Sequence, residues 1–394
     1  MAKKPAPAPG AVVFRAEIPA GVLAAAAARV AAIVLNKNTI PIVENVLLRA
    51  GDGALTVAAT NLDQGLSVTV DATAEGGITV PAAKLSAIAA RLDADAPVVL
   101  ADERAGQSLT ISQGRSTFRL PALPAADWPD AMVSPLGDDA QRWSVDSVAL
   151  AAIIRQLDGA MDSSNTLYPY LAGLFLDLSE RDATLVATDG HVMGAADLVP
   201  LAPPRGGAMI LPAPAMRPIV EIAKTAETVH IGLSPVAVTV EAAGVRLRTK
   251  LIEGRYPDWR RAMPAEMPVR VTVEADRLGL ALRRAMLVTA EQVKDSKIKL
   301  GTGIALMIGM EEITISARNS LGEEASDTLP CERIGGSDDP IRIETRAPYL
   351  AWAVASLDAD TIDIGIDDPC RPIALRKLGD VAWRRMVEVR RIQG

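Results

Sequence analysis

A strand–turn–helix phrase recurs three times in this chain, and that repetition limits the fold more than any other feature. It reads FRAEIPAGVLAAAAARVAAIV at 14–34, RWSVDSVALAAIIRQLDGAM at 142–161 and RVTVEADRLGLALRRAMLVT at 270–289. Arg15, Arg142 and Arg270 are 127 and 128 residues apart. Self-similarity at that period predicts one module of about 125 residues used three times. Function is then expected from what three modules build together.

Each module reads as two halves, and each half as a strand, a helix and three more strands. In the first module, helix Ala20–Leu35 precedes a hairpin turning at Gly51-Asp52-Gly53, a strong turn signal. Pro81, a favoured first helical residue, leads into helix Ala82–Leu92. The second module repeats the order with helices Ser147–Met161 and Ala213–Ala226, the third with Ala275–Thr289 and Arg346–Leu357. Turn formers replace periodic pattern at Ser134–Gln141 and Ala262–Pro268, which read as linkers. The expected fold is therefore α+β, with three domains at 11–134, 141–262 and 268–394. Each domain packs two helices on two short antiparallel sheets, six sheets in all. A repeat of this kind stacks or curls, and a twofold association can close it.

Composition removes several function classes. Apolar residues make up 49% of the chain but aromatic residues only 3%, so the cores are aliphatic. No run approaches the roughly 18 apolar residues of a membrane span. The leader MAKKPAPAPG lacks the apolar segment of a secretory signal, so a cytoplasmic protein is expected. Two cysteines, Cys331 and Cys370, are too few for a disulfide framework, and two histidines argue against a histidine metal site; no cofactor is expected. The net charge of −7 does not exclude nucleic acid, since an acidic exterior can hide a basic stripe. Lys37, Arg91, Arg155, Arg217, Lys224, Arg277, Arg283, Arg284 and Lys294 lie on or beside expected helices, while acids collect in hairpin turns and strand ends. Taken singly these cations read as solvated helix faces. Taken together they suit a surface that meets phosphates without reading base sequence.

Four segments in order resemble the bacterial DNA polymerase III beta subunit, the family of replicative sliding clamps. They are Asn38-Thr39-Ile40-Pro41-Ile42 with Asn45-Val46-Leu47-Leu48, and Arg119-Leu120-Pro121 with Leu123 to Pro129. Ala187-Thr188-Asp189-Gly190-His191 and Glu253 to Arg261 (EGRYPDWRR) follow. The match runs from about Val12 to Val389. The resemblance implies three clamp domains per chain and a head-to-tail homodimer closed into a ring, with twelve helices lining the hole. It implies no enzyme, but a processivity factor linked topologically to double-stranded DNA and associated with the nucleoid. The implied partners are the replicative polymerase catalytic subunit, the clamp loader, and repair polymerases and other proteins bearing the same short motif.

Residue roles carry over position by position. Lys37 and Tyr170 match DNA-contacting positions, and Arg91 and Arg217 among the helix cations are the other expected DNA contacts; beside Tyr170 the family's second aromatic is Pro169 here, with Tyr168 next to it. Arg115 and Phe118 on the first domain, and Met286 and Leu287 on the third, match the ring interface. Without the family, the alternating GRSTFRL strand leaves Phe118 equally open to a core position. Leu171, Thr188, Gly190, His191, Pro257, Arg261 and Met386 match a pocket for partner peptides, the kind of apolar cavity with polar fixers that holds a flexible tail.

Two departures stand out. Val192 and Met193 replace the family's usual Arg-Leu after the histidine, and the Met-Pro-x-Arg tail gives way to RRMVEVRRIQG. A reshaped pocket is the consequence expected, with weaker binding of the usual peptide or a preference for another partner. The alternative to the replicative role is a specialised paralogue serving repair synthesis or regulation. A third reading, a hydrolase built on Asp189 and His191, has no nucleophile motif to support it.

Overall fold

Seven times among the described residues the chain passes from a strand into a helical turn with at most one residue between them. The computed structural model describes residues 14–34, 40–102, 106–178, 182–201, 206–289 and 303–389. Among them the helices are α1 (Ala20–Ala31), α2 (Ala82–Ala89), α3 (Ser147–Leu157), α4 (Met216–Ala223), the four-residue α5 (Trp259–Ala262), α6 (Ala275–Thr289) and α7 (Ala347–Leu357). Proline helps make the switch. Pro19 and Pro81 hold φ at −57° and −55° with extended ψ, so each ends its strand and caps the helix from outside. Pro81 thus stands one position before the helix rather than inside it.

Several helices end earlier than their apolar pattern suggests. The turn after α1 begins at Ala32, and α3 gives way at Asp158–Ala160 to a tighter 3₁₀ turn. Helix α4 is likewise preceded by the 3₁₀ turn Ala213–Ala215. Helix α6 keeps its expected bounds, and α7 closes where Asp358 adopts a left-handed φ of 52°. The Asp52-Gly53 hairpin has both central residues left-handed, the geometry that a two-residue turn between twisted strands requires.

The sheets are fewer and wider than three strands apiece. By internal packing the chain forms two compact units. The first holds the residues up to Val148 and the stretch Arg217–Leu251; the second holds Ala149–Val199 and the residues from Ile252 onward. The first unit contains one thirteen-stranded antiparallel sheet, the second a nine-stranded and a four-stranded sheet. Fusion occurs at strand edges. Val245–Lys250 pairs with Gln64–Asp71, placing Leu247 opposite Leu66. Val192–Leu198 pairs with Arg385–Val387, placing Met193 opposite Met386. Thr73–Pro81 is long enough to pair with Phe14–Glu17 through its first half and with Asn45–Arg49 through its second. The expected six sheets therefore merge, because an unpaired edge leaves backbone donors and acceptors unsatisfied. The middle stretch 141–262 supplies strands to both units.

The cores are aliphatic, as the composition requires. Helix α1 buries Ala20, Leu23, Ala26, Ala27 and Val30, the spacing of one helical face, and packs against α2. In the second unit α6, which buries Leu278 and Leu282, packs against α7, which buries Leu350, Ala353 and Leu357. No helix among the described residues is long and apolar enough to cross a membrane.

Leu278 is fully buried. Its replacement by alanine is expected to destabilise the chain by about 2–5 kcal/mol, as for other leucines in close-packed cores, measured as a lower urea midpoint. An unchanged midpoint would mean that α6 is not part of the cooperative core.

Candidate functional site

The site begins at a tight turn between two strands of the nine-stranded sheet. Strand Ala183–Thr188 ends in Thr188-Asp189-Gly190-His191, and Val192 starts the return. Thr188 Oγ1 donates to the Val192 carbonyl at 2.6 Å and accepts from the Gly190 amide at 3.1 Å. Asp189 Oδ1 accepts from the amides of His191 and Val192, both at 2.8 Å. Gly190 sits at φ +92°, where an L side chain is strained. Two short polar side chains and one glycine thus fix the turn, each bond worth about 1 kcal/mol.

This turn is tied to the C-terminal strand. The Glu388 amide donates to the His191 carbonyl at 2.8 Å, and His191 Nδ1 lies 2.5 Å from Glu388 Oε2. The imidazole also stacks on Tyr349, with ring centroids 5.4 Å apart. Asp189 is occupied by two backbone amides and does not orient the His191 ring. The two residues therefore do not form the acid–base pair that the hydrolase reading needs.

Beside the turn lies a cavity of about 570 Å³. Five of the seven residues expected there line it: Thr188, Gly190, His191, Arg261 and Met386. Leu171 is buried in the short turn Pro169–Ala172, and Pro257 is exposed; neither lines the cavity. Met193, Met267 and Glu388 do line it and were not among the expected pocket residues. Met193 follows from strand alternation once its pairing with Met386 is known, whereas Met267 lies in a stretch that reads as linker. The thioethers make an adaptable apolar floor. The rim is charged, with Glu266, Glu388 and Arg261, and with Arg371 bonded to Asp367 at 2.7 Å.

Helix α5 brings Arg261 to this rim. Asp177 on the neighbouring strand Gly173–Leu178 accepts from Trp259 Nε1 at 2.9 Å and from the Arg260 guanidinium. That guanidinium also covers the Trp259 ring. Beneath, Tyr256 stacks on Phe175 with centroids 4.3 Å apart, and Tyr170 meets Tyr256 edge-on at 6.2 Å. Aromatic pairs of this kind contribute about 0.5–1.5 kcal/mol each beyond their buried area. Burial pushes the Tyr256 phenol well above its ordinary range, so it stays neutral.

The residues expected to meet nucleic acid lie apart from the cavity lining. Tyr170 is half-buried, but Tyr168 is 54% exposed and only 5.9 Å from it between ring centroids. Arg91 is exposed just beyond α2 and donates to the Ala87 carbonyl at 2.9 Å. Arg217 is exposed on the first turn of α4. Lys37 and Lys294 lie outside the described residues. Among the helix cations Lys224, Arg277 and Arg284 are ion-paired with Glu221, Glu274 and Asp327.

The expected interface residues lie at two open sheet edges. Ser116–Pro121 is the outer strand of the thirteen-stranded sheet. Phe118 on it is 39% exposed, which decides against the core position, and Arg115 is exposed in the preceding turn. Glu324–Pro330 is an outer strand of the four-stranded sheet, and α6 packs against it. On α6, Leu287 is 80% exposed and Met286 is half-buried.

Comparison with known proteins agrees on one family. Models of the DNA polymerase III beta subunit match at residues 17–132 for the N-terminal domain and 144–258 for the central domain. The beta sliding clamp of Caulobacter vibrioides is 30% identical over 355 residues, covering 87% of this chain and 90% of that protein. A solved DNA polymerase sliding clamp from Caulobacter crescentus superposes with a TM-score of 0.82 at 27% identity, covering 96% of this chain and all of that one. The Pseudomonas aeruginosa DNA polymerase III subunit beta bound to griselimycin gives 0.86 at 25% identity with the same coverage.

Replacing Gly190 by alanine is expected to cost about 1–3 kcal/mol, since the new side chain must adopt a left-handed φ, and to lower the melting temperature. Unchanged melting would show that the turn relaxes without strain.

Proposed function

The chain belongs to the DNA polymerase III beta subunit family, and from that premise we propose how its surfaces carry out the work of a sliding clamp. It is a non-enzymatic processivity factor that works with DNA and polymerase. The proposed assembly is a head-to-tail homodimer. The open edge Ser116–Pro121 of one protomer, with Arg115 and Phe118, faces the open edge Glu324–Pro330 of the other, with Met286 and Leu287. Two unsatisfied strand edges and an exposed leucine on the adjacent helix support this pairing. The domain limits proposed are 11–134, 141–262 and 268–394.

Inside the ring, Arg91, Arg217 and the Tyr168–Tyr170 pair are the proposed DNA contacts. Such contacts address phosphates and sugar faces, so they hold without selecting sequence and weaken as salt rises. Weak contacts suffice where the link to DNA is topological. Working there, the protein is expected at the nucleoid.

The observation that carries the partner reading is the methionine-floored cavity beside the Thr188–Val192 turn. Its size and its apolar floor with a few fixed polar groups suit one or two aliphatic side chains of an extended peptide. The proposed ligands are the short motifs of the replicative polymerase catalytic subunit, the clamp loader and repair polymerases. One feature favours a second reading, a specialised copy with its own partners: Glu388 and Glu266 place carboxylates on a rim where the family tail is Met-Pro-x-Arg.

Titration of a fluorescent clamp-binding peptide from a bacterial replicative polymerase is expected to give a micromolar or tighter Kd, weakened about tenfold or more by Met386→Glu. A folded dimer that ignores this peptide would contradict the replicative role and favour the specialised copy. In sedimentation, Leu287→Asp is expected to shift the dimer towards monomer, because it places a charge where an apolar anchor must desolvate. A dimer of undiminished stability would remove this residue from the interface.

A further inference from the structure

Arg385 is the largest side chain buried below 2% exposure, and none of the ion pairs among the described residues includes it. A buried cation without a carboxylate needs another source of negative potential. Here it comes from neutral oxygens, two of them on Ser356 at the end of a helix and two of them carbonyls of the strands beside it. Arg385 Nε donates to Ser356 Oγ at 2.7 Å, and Nη2 donates to the Ser356 carbonyl at 2.8 Å. Nη2 also reaches Gln156 Oε1 at 3.5 Å. Nη1 donates to the carbonyls of Ala195 at 3.0 Å and Arg384 at 2.9 Å. Ser356 lies in the last turn of α7 and Gln156 in the last turn of α3. The final carbonyls of a helix lack partners along the helix and carry partial negative charge. Burial lowers the Arg385 pKa to about 10, which leaves it charged at neutral pH.

The strand alternation explains what this arrangement does. Arg385 and Met386 are neighbours, so they point to opposite faces of the sheet. Met386 lines the cavity; Arg385 goes under it. Across the ladder, Gly194 stands opposite Arg385 as Met193 stands opposite Met386. A Cβ at Gly194 would come within 2.6 Å of the Leu157 side-chain tip and 3.1 Å of the Trp352 ring, so glycine leaves room for these side chains of α3 and α7 beside the arginine. The guanidinium thus joins strand Val192–Leu198, the C-terminal strand and the ends of two helices.

We propose that Arg385 is a positioning residue for the partner pocket: its buried guanidinium, held by the last turns of α3 and α7, sets the height and register of the strand that presents Met386. The charge added to this chain's C-terminal segment is then internal bracing rather than a solvated patch. The inference rests on the reading of the cavity as a peptide site.

The test compares peptide affinity in the full-length dimer for wild type, Arg385→Met, Ser356→Ala and Ile315→Ala. All are measured at a temperature well below melting. Ile315 is buried in the four-stranded sheet, so its truncation destabilises the chain without touching the brace. The expected result is a loss of about tenfold for Arg385→Met and a smaller loss for Ser356→Ala, within the range that indirect coupling produces. Ile315→Ala should bind as wild type does. Wild-type affinity in Arg385→Met, or an equal loss in Ile315→Ala, overturns the positioning role and leaves the pocket reading intact. Should Arg385→Met fail to fold, Ser356→Ala decides by the same comparison. Failure of the wild type itself to bind sinks the pocket reading, and the positioning role with it.

Discussion

Hydrogen bonding between strand edges is the constraint on which the rest of the molecule depends. Modules of this size cannot leave their outer strands open without exposing a row of unpaired donors and acceptors. Pairing Val245–Lys250 with Gln64–Asp71, and Val192–Leu198 with Arg385–Val387, removes such edges and turns repeated modules into wide sheets. The second of these pairings also sets Met193 against Met386 and thereby makes the floor of the pocket. The edges at Ser116–Pro121 and Glu324–Pro330 remain available for a second copy. One physical demand therefore accounts for the sheets, the pocket and the proposed interface.

The alanine-rich helices follow a complementary logic. Small residues let α1 and α2 approach each other and the sheet closely, so an aliphatic core forms with few aromatic side chains. Their outer faces are left short and sparsely charged. In the proposed ring such a surface would face DNA and hold it loosely, which suits retention by enclosure rather than grip.

Much of the fold was legible in the sequence, because period, turn chemistry and helix spacing are local. The three strand-helix phrases, the Asp52-Gly53 hairpin and the bounds of α6 are of this kind. Sheet fusion was not legible, since it depends on edge partners distant in sequence, such as Gly194 and Arg385. The site divides the same way. The Thr188–His191 turn is readable because Thr188, Asp189 and Gly190 satisfy it locally. Glu388 reaches His191 only through the folded ladder, and Met267 lies in a segment whose turn formers disguise a pocket wall. Leu171 and Pro257, expected at the cavity, are not among its lining residues, because motif position does not fix side-chain direction. Phe118 shows the converse: alternation alone left it undecided, and its outer-strand position decides it.

Enclosure of DNA is what a proposed ring must achieve, and DNA topology tests it most directly. The protein would be loaded onto a nicked circular duplex by a clamp loader, separated from free protein by gel filtration, and the circle then cut once. A ring is expected to travel with the circle and to be released when the DNA becomes linear. Equal retention on linear DNA would mean a binding grip instead of a ring, and would rule out topological enclosure.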